Sequence, residues 1–293
     1  MGRKERYLVG LDVGTSKITA IVGEMTDDGG LDIIGMGLAD SRGIRRGVVV
    51  NLEAAVESIK KAIDEAELTG GVEIDSVHLG LSGTHVKAFN SRGVVAVAGK
   101  NREIMREDVR RALDAAKAVT LPAGREIIHV LPQDFVVDEQ DGIGAPLGMT
   151  GARLEVNVHI ITGSASSTQN IVSCVNRSGV SVLDTVLEQL AAAESVLTQD
   201  EKELGVALVD IGGGTTDFAI FERQLVAHWR RSGRRGPLHE RHCGRASHAD
   251  PRRREDQATL RVRAVGHGRR GRDHGGRERR RAQAARDGAA DTF

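Results

Sequence analysis

Residues 209–217 read Val209-Asp210-Ile211-Gly212-Gly213-Gly214-Thr215-Thr216-Asp217, an apolar run that ends in an acid, turns on three glycines and continues into two threonines. The run 205–209 predicts a buried strand, and residues 218–221 predict its hairpin partner. Glycines at such a turn let backbone N–H groups approach an anion. The hairpin therefore predicts a phosphate site, where Asp210 holds a metal ion through water and the hydroxyls of Thr215 and Thr216 bond phosphate oxygens.

The N-terminal part of the chain repeats this plan. Residues 8–17 read Leu8-Val9-Gly10-Leu11-Asp12-Val13-Gly14-Thr15-Ser16-Lys17, and residues 18–22 predict the returning strand. One glycine-rich hairpin alone is equally typical of a tight turn capped by hydroxyl residues. Two such hairpins, far apart in one chain, predict two related halves that face one nucleotide across a cleft. That pairing is similar to the actin, Hsp70 and sugar-kinase ATPase superfamily.

The composition separates the chain into two blocks, although the formal net charge is +0. Residues 1–223 carry 22 Lys and Arg against 33 Asp and Glu, whereas residues 224–293 carry 19 Arg against 8 acids. The two cysteines, Cys174 and Cys243, lack metal-ligand spacing, which is typical of a reducing cytosol. No apolar run reaches membrane-spanning length, and the N-terminus has no signal-peptide core, so we expect no secretion.

The segment after the first hairpin has the order of half a ribonuclease-H-like unit. A third strand is predicted at residues 31–37, Asn51 is expected to cap a helix, and residues 77–83 predict another strand. The apolar stripe of the helix is predicted to contain Val56, Ile59, Ile63, Ala66 and Leu68.

Residues 84–162 are predicted to form an insertion subdomain. His129 and His159 fall within its strands with no acid or cysteine beside them, which favours structural histidines over metal ligands. The predicted elements are two short strands in 86–97, a helix over 106–119, a strand over 126–137 that Pro132 interrupts, and a strand over 154–161.

Residues 163–223 are predicted to return to the first subdomain, residues 1–83, and to begin the second half of the fold. An alanine-rich helix over 187–197 carries Glu188 in its first turn. Glu188 either points into the cleft or complements the dipole of its own helix, and the sequence favours neither.

Four further motifs resemble the family of the bacterial cell-division protein FtsA. They are Gly43-Ile44-Arg45-Arg46-Gly47, Gly80-Leu81-Ser82-Gly83, His129-Val130-Leu131-Pro132-Gln133 and Gly148-Met149-Thr150-Gly151-Ala152-Arg153-Leu154. With the two hairpins the resemblance covers residues 7–223, and its middle motifs lie in the insertion. It implies an α/β chain with an actin-like, ribonuclease-H-type fold, an FtsA-type insertion domain and a truncated second half.

The resemblance also implies a function. Proteins of this family bind ATP with Mg²⁺, polymerise, and tether FtsZ filaments to the cytoplasmic face of the inner membrane at the septum. The implied partners are FtsZ, further copies of the chain, the membrane, and other division proteins through the insertion domain, but no specific nucleic acid.

Site residues follow by motif from the resemblance. Asp12 and Asp210 would hold the metal and its waters, and Glu188 would orient the hydrolytic water in what is at most a weak ATPase. The family usually has proline where this chain has Gln189, which puts the start of that helix in question. The phosphate ligands would be Gly14, Thr15, Ser16 and Lys17 in the first hairpin, and Gly212, Gly213, Gly214, Thr215 and Thr216 in the second.

The resemblance ends at Arg223. Residues 224–293 contain no Lys or Ile and few aliphatic residues, so we expect them to be disordered. The same bias arises when GC-rich DNA is read in a shifted frame, and codons chosen for residues 237–250 encode a family-like segment in the second frame. We therefore interpret residues 224–293 as frameshifted rather than as a nucleic-acid-binding tail. A repeat read of the DNA across codons 220 to 240 tests this interpretation.

This interpretation has three consequences. The hairpin at 206–221 is expected to present an unpaired strand edge, and the chain is expected to bind ATP weakly because nothing holds the adenine. It is also expected to lack the membrane helix of the family. Two alternative functions are a non-hydrolytic interaction module that acts through the insertion domain, and another ATPase of the superfamily, such as a chaperone or sugar kinase.

Overall fold

The structure is a computed structural model that describes residues 7–98, 101–232 and 261–266. The elements before the insertion are β1 (Tyr7–Val13), β2 (Lys17–Met25), β3 (Leu31–Asp40), β4 (Ile44–Arg45), β5 (Val48–Val49), α1 (Leu52–Gly70) and β6 (Ser76–Leu81). Those of the insertion are β7 (Lys87–Ala96), α2 (Arg106–Lys117), β8 (Arg125–Val137), β9 (Gln140–Ile143) and β10 (Arg153–Ser164). The later elements are α3 (Ala165–Arg177), β11 (Ser181–Leu187), α4 (Glu188–Val196), α5 (Gln199–Leu204), β12 (Val206–Ile211), β13 (Thr215–Glu222), β14 (Gln224–Ser232) and β15 (Arg261–Gly266).

The first sheet has the strand order β11-β6-β1-β2-β3. β1 and β2 form the first predicted hairpin, and β6 pairs parallel with both β1 and β11. The carboxyl ends of these three parallel strands therefore lie at one edge of the sheet, where Asp12 is the second-last residue of β1 and Glu188 directly follows β11. This edge is where open α/β sheets bind ligands.

Helix α1 covers one face of the first sheet. Asn51 caps it as expected, because its side chain accepts a hydrogen bond from the backbone N–H of Ala54 at 3.1 Å. Ile59 and Ile63 are buried as predicted, but Leu68 is 83% exposed. The prediction for Leu68 was wrong because nine residues at 100° each place it opposite Ile59 on the helix.

The insertion contains a sheet of order β7-β10-β8-β9 with α2 on one face. The prediction of two short strands in 86–97 was wrong, because β7 is continuous and pairs with β10 along its whole length. β8 is also continuous through Pro132, where the pairing with β10 shifts by one residue in a bulge. The short elements β9 and α5 were not predicted.

The second predicted hairpin, β12 and β13, lies in a sheet of order β14-β13-β12-β15. β14 pairs with β13 and β15 pairs parallel with β12, so the prediction of an unpaired strand edge was wrong. The expected disorder of the tail was likewise wrong for 224–232 and 261–266, which are strands. The remaining part of residues 224–293, including Cys243, lies outside the described residues. The frameshift stays a prediction.

Separate apolar clusters stabilise the three parts of the fold. One lies between α1, α3 and the first sheet, and a second lies under α2 in the insertion. A third joins Ile161 of β10 to Leu187, to α4 and to the sheet that contains β12 and β13, and it includes Leu225, which is 2% exposed. Within the described residues, no helix is long and apolar enough to cross a membrane.

Candidate phosphate-binding cleft

The turns of the two hairpins lie against each other. A Cβ atom on Gly213 would lie 2.6 Å from the Cβ atom of Ser16, and one on Gly214 would lie 2.9 Å from Cγ2 of Thr15. Neither distance is compatible with a side chain, so glycine permits this approach at both positions. Ser16 and Gly213 are 197 positions apart in the sequence, yet the fold brings the two turns into direct contact.

A small cavity of about 30 Å³ lies between the hairpins. It has room for roughly two water molecules. Ten of the predicted site residues line this cavity: Asp12, Gly14, Thr15, Ser16, Lys17, Glu188, Asp210, Gly212, Gly213 and Thr215.

Two predicted site residues, Gly214 and Thr216, are not among the residues that line the cavity. Gly214 packs on Thr15, and Thr216 follows Thr215 on β13, where successive side chains point to opposite faces. Strand alternation instead brings Asp217 to the cavity. Alternation within the hairpin was the signal in the sequence that could have found Asp217.

Carboxylates dominate the electrostatics of the cleft. Asp210 and Asp217 are both buried and lie directly opposite each other on β12 and β13. With Asp12 and Glu188 they place four acids around the cavity, and Lys17 is the one cationic side chain among the described residues that line it. Facing carboxylates favour a bound cation between or beside them.

The donor set is compatible with Mg²⁺ held through water. Within residues 7–98, 101–232 and 261–266, no three His, Cys, Asp or Glu side chains converge closely enough to ligate one metal ion together. Mg²⁺ usually keeps several waters and takes one or two carboxylates plus phosphate oxygens. Asp12 and Asp210 fit that role, and a direct protein cage is not required.

The loop between β4 and β5 forms another wall of the cleft. The backbone N–H of Gly47 donates a hydrogen bond to Oγ1 of Thr15 at 3.3 Å. Gly47 has a φ of 72°, and a Cβ there would lie 2.7 Å from the carbonyl oxygen of Ser82. Gly47 and Ser82 both line the cavity. They belong to two of the glycine motifs in the sequence, but those motifs alone gave no reason to place them in the site.

Glu188 lies in the cleft and also in the first turn of its helix, so both interpretations that the sequence allowed agree with the structure. It is the first residue of α4, directly after β11, and its side chain lines the cavity. Leu187 is the N-cap of α4. The helix therefore begins at Glu188 although the next residue is Gln189, whose side chain is buried at 2% exposure.

His129 and His159 are structural residues, as predicted. Nε2 of His129 accepts a hydrogen bond from the backbone N–H of Leu187 at 2.9 Å, and Nδ1 of His159 lies 2.7 Å from Oδ1 of Asn90. Burial lowers the pKa of His129, and the nearby carboxylate of Asp184 opposes that shift. Burial lowers the pKa of His159 as well. His129 thereby connects the insertion to the residue before Glu188.

The lowered pKa of His129 predicts a pH-dependent stability. Its neutral form is favoured in the folded chain, so its contribution is complete above the unfolded pKa of about 6.5 and declines as pH falls below it. We expect the His129→Gln variant, whose amide oxygen can still accept from Leu187, to lose less stability than the wild type between pH 7.5 and 5.5. Urea unfolding at both pH values measures this, with His78→Gln as the control. An unchanged pH dependence in His129→Gln contradicts the prediction.

Comparison with known proteins identifies the insertion and the flanking sequence. A model of the SHS2 domain inserted in FtsA matches residues 83–162. The cell division protein FtsA of Pseudomonas aeruginosa is 52% identical over 223 residues, which are 76% of this chain and 53% of that protein. FtsA of Bacillus subtilis is 45% identical over 222 residues, 76% of this chain and 50% of that protein. The chain thus spans about half the length of these curated relatives.

A solved structure shares the fold at low sequence identity. The PilM-PilN type IV pilus biogenesis complex aligns with a TM-score of 0.57 and 14% identity, over 77% of this chain and 61% of that one. Such a likeness shows the fold alone, and the α/β actin-like architecture with its SHS2 insertion agrees with the prediction. The similarity to FtsA extends over several bacteria, with 50% identity to FtsA of Borreliella burgdorferi and 42% to that of Escherichia coli. Over the part that these relatives match, the chain is similar to the cell division protein FtsA, and its insertion matches the SHS2 domain of that protein.

Proposed function

We propose that this chain is an FtsA-type division protein whose cleft binds the phosphates of ATP together with Mg²⁺. The observation that carries the proposal is the contact between the two glycine turns, which places both sets of backbone N–H groups and hydroxyls around one cavity. Backbone nests of this kind bind anions. The facing carboxylates supply the negative charge that a phosphate-bound cation needs as its counterpart.

Each predicted residue that lines the cavity has a role in this proposal. Gly14, Thr15, Ser16 and Lys17 cradle one end of the phosphate chain, and Gly212, Gly213 and Thr215 hold the other. Asp12 and Asp210 would hold Mg²⁺ through its waters, and the ion supplies neutralisation of phosphate charge. Glu188 orients a water molecule toward the terminal phosphate, which is a positioning role. Activity as an ATPase is at most weak.

The proposed cellular role follows the names of the relatives. The chain would act in cell division at the cytoplasmic face of the inner membrane, at the septum. Its proposed partners are FtsZ, further copies of itself in a filament, and other division proteins that bind the insertion domain. Because the chain spans about half of each relative, these partners are proposals for the whole protein.

The lining of the cleft predicts that phosphates contribute most of the binding. Among the described residues that line the cavity, Val13 is the one large apolar side chain and none is aromatic, so nothing there stacks on adenine. We expect weak binding of ATP with Mg²⁺, with a dissociation constant of roughly 0.1 to 1 mM. Inorganic tripolyphosphate is expected to bind within about threefold of ATP. Calorimetry of both ligands, with Mg²⁺ and with excess chelator, measures this.

Adenosine is the control ligand and is expected not to bind. If neither ATP nor tripolyphosphate binds at about 10 mM, the proposed site is contradicted. A dissociation constant of that size corresponds to a binding free energy on the order of −2.7 kcal/mol. Tight, magnesium-dependent binding of ATP that tripolyphosphate does not displace contradicts the proposed dominance of the phosphates.

The insertion supports a second candidate function. It has its own apolar cluster beneath α2, separate from the cluster under α1. A part of the chain with its own core can bind partners whether or not the cleft binds nucleotide. The alternative is therefore a non-hydrolytic interaction module, and variants of the cleft and of the insertion separate it from nucleotide-dependent action. The identity to curated FtsA proteins disfavours another ATPase of the superfamily.

A further inference from the structure

Gly80 lies beneath the side chain of Glu188. It is on β6, directly opposite Asp12 on β1 and Val186 on β11. A Cβ at this position would lie 3.1 Å from Cγ and 3.5 Å from Oε1 of Glu188. Directly paired residues in a sheet project to the same face, so this Cβ would share the face of the Asp12 side chain.

A side chain at Gly80 would have to displace Glu188. The backbone carbonyl oxygen of Leu11, 3.4 Å from the same Cβ, belongs to the central strand of the sheet and does not yield. The backbone beside Glu188 is also held, because Leu187 is 1% exposed and its N–H bonds to His129. The side chain of Glu188 is therefore the group that moves.

We propose that Gly80 is a positioning residue for Glu188: by lacking a Cβ it lets the Glu188 side chain lie flat on β6, beside Asp12 in the cleft. This inference rests on the proposed function for the consequence in hydrolysis, but the position of the carboxylate is a property of the chain itself. A methyl group at residue 80 lifts the carboxylate by a few tenths of an ångström. Small misplacements of this kind reduce rates strongly when catalysis depends on orientation.

The full chain offers a matched pair of variants for the test. Gly80→Ala places a methyl group under Glu188, whereas Gly10→Ala places one on the adjacent strand, where a Cβ meets nothing within 4 Å. The first readout needs no nucleotide: the side-chain carboxyl ¹³C signal of Glu188, assigned by its loss in Glu188→Gln. We expect Gly80→Ala to shift this signal and Gly10→Ala to leave it in place.

The second readout is single-turnover ATP hydrolysis together with tripolyphosphate affinity. Gly80→Ala is expected to lower the hydrolysis rate by about tenfold and to leave the affinity unchanged. In the Glu188→Gln background the same substitution is expected to cause no further loss of hydrolysis rate. A residue that acts only through Glu188 has no effect once Glu188 is replaced.

The outcomes separate this inference from the proposed function. An unshifted Glu188 signal in Gly80→Ala, or a further loss of rate in the Glu188→Gln background, overturns the positioning role. A shifted signal in a protein with no measurable hydrolysis supports the positioning role and contradicts the catalytic one. If Gly80→Ala does not fold, adding Glu188→Ala should restore folding by removing the Cγ contact, and failure to restore it overturns the inference.

Discussion

Replacing Asp12 and Asp210 together by asparagine is expected to weaken magnesium-dependent tripolyphosphate binding by at least about 100-fold. Each carboxylate would hold a water of the hydrated ion by a charge-assisted hydrogen bond, and such bonds contribute about 1.5 to 3 kcal/mol. Asparagine keeps the size of the side chain but removes its charge. Calorimetry with Mg²⁺ measures the loss, and Asp141→Asn, at an exposed acid of the insertion, is the control.

The same double variant is expected to keep its free energy of unfolding. Asp210 on β12 lies directly opposite Asp217 on the adjacent strand β13, and both residues are buried. Like charges directly opposite each other are destabilising. Removing one of these charges therefore should not lower the midpoint of urea unfolding. Binding that stays within threefold of the wild type contradicts the metal role, and a large loss of stability would show that the acids are structural.

Partner binding by this variant distinguishes the two candidate functions. A non-hydrolytic interaction module would keep its affinity for a division protein, since neither substituted residue belongs to the cluster beneath α2. A nucleotide-dependent protein would lose any affinity that ATP confers on the wild type. Pull-down with the double variant, with and without ATP, therefore decides between them.

The sequence was sufficient for the elements of the cleft because their signals are local. An apolar run, an acid and a glycine turn predict a strand and a hairpin at both sites, and β1, β2, β12 and β13 agree with that prediction. The cap at Asn51 and the structural histidines are local signals as well. Cleft residues such as Gly47 and Ser82 were missed because they reach the cavity only through the packing of separate segments.

Pairing between distant strands accounts for the other errors. β15 pairs with β12 across more than fifty positions, from Arg261 to Val206, and it lies in a segment whose overall arginine-rich composition predicted disorder. β7 was divided in two because residues 86–97 contain polar and glycine positions, whereas pairing with β10 keeps the strand continuous. Leu68 was wrongly predicted to be buried because the prediction used its apolar character and ignored the face of the helix on which it lies.

The substitution Gly93→Ala is expected to unfold the insertion while the cleft keeps its structure. Gly93 is on β7 beneath α2, and a Cβ there would lie 2.0 Å from the carbonyl oxygen of Ala112 and 2.6 Å from the backbone nitrogen of Ala116. Both atoms are helix backbone and cannot rotate away. The helix must therefore lift from the sheet, which costs about 3 kcal/mol or more.

Hydrogen exchange with mass spectrometry measures this effect segment by segment. We expect residues 83–162 to lose protection in Gly93→Ala, while β1, β2 and α1 keep theirs because they pack in a different cluster. Gly144→Ala is the matched control, since a Cβ there meets nothing within 4 Å. Equal loss of protection in α1 would show that the insertion and the first sheet unfold together. One informative outcome is that Gly93→Ala keeps tripolyphosphate binding and loses partner binding, while the Asp12 and Asp210 double variant shows the reverse. That pair of results would assign the two functions to separate parts of the chain.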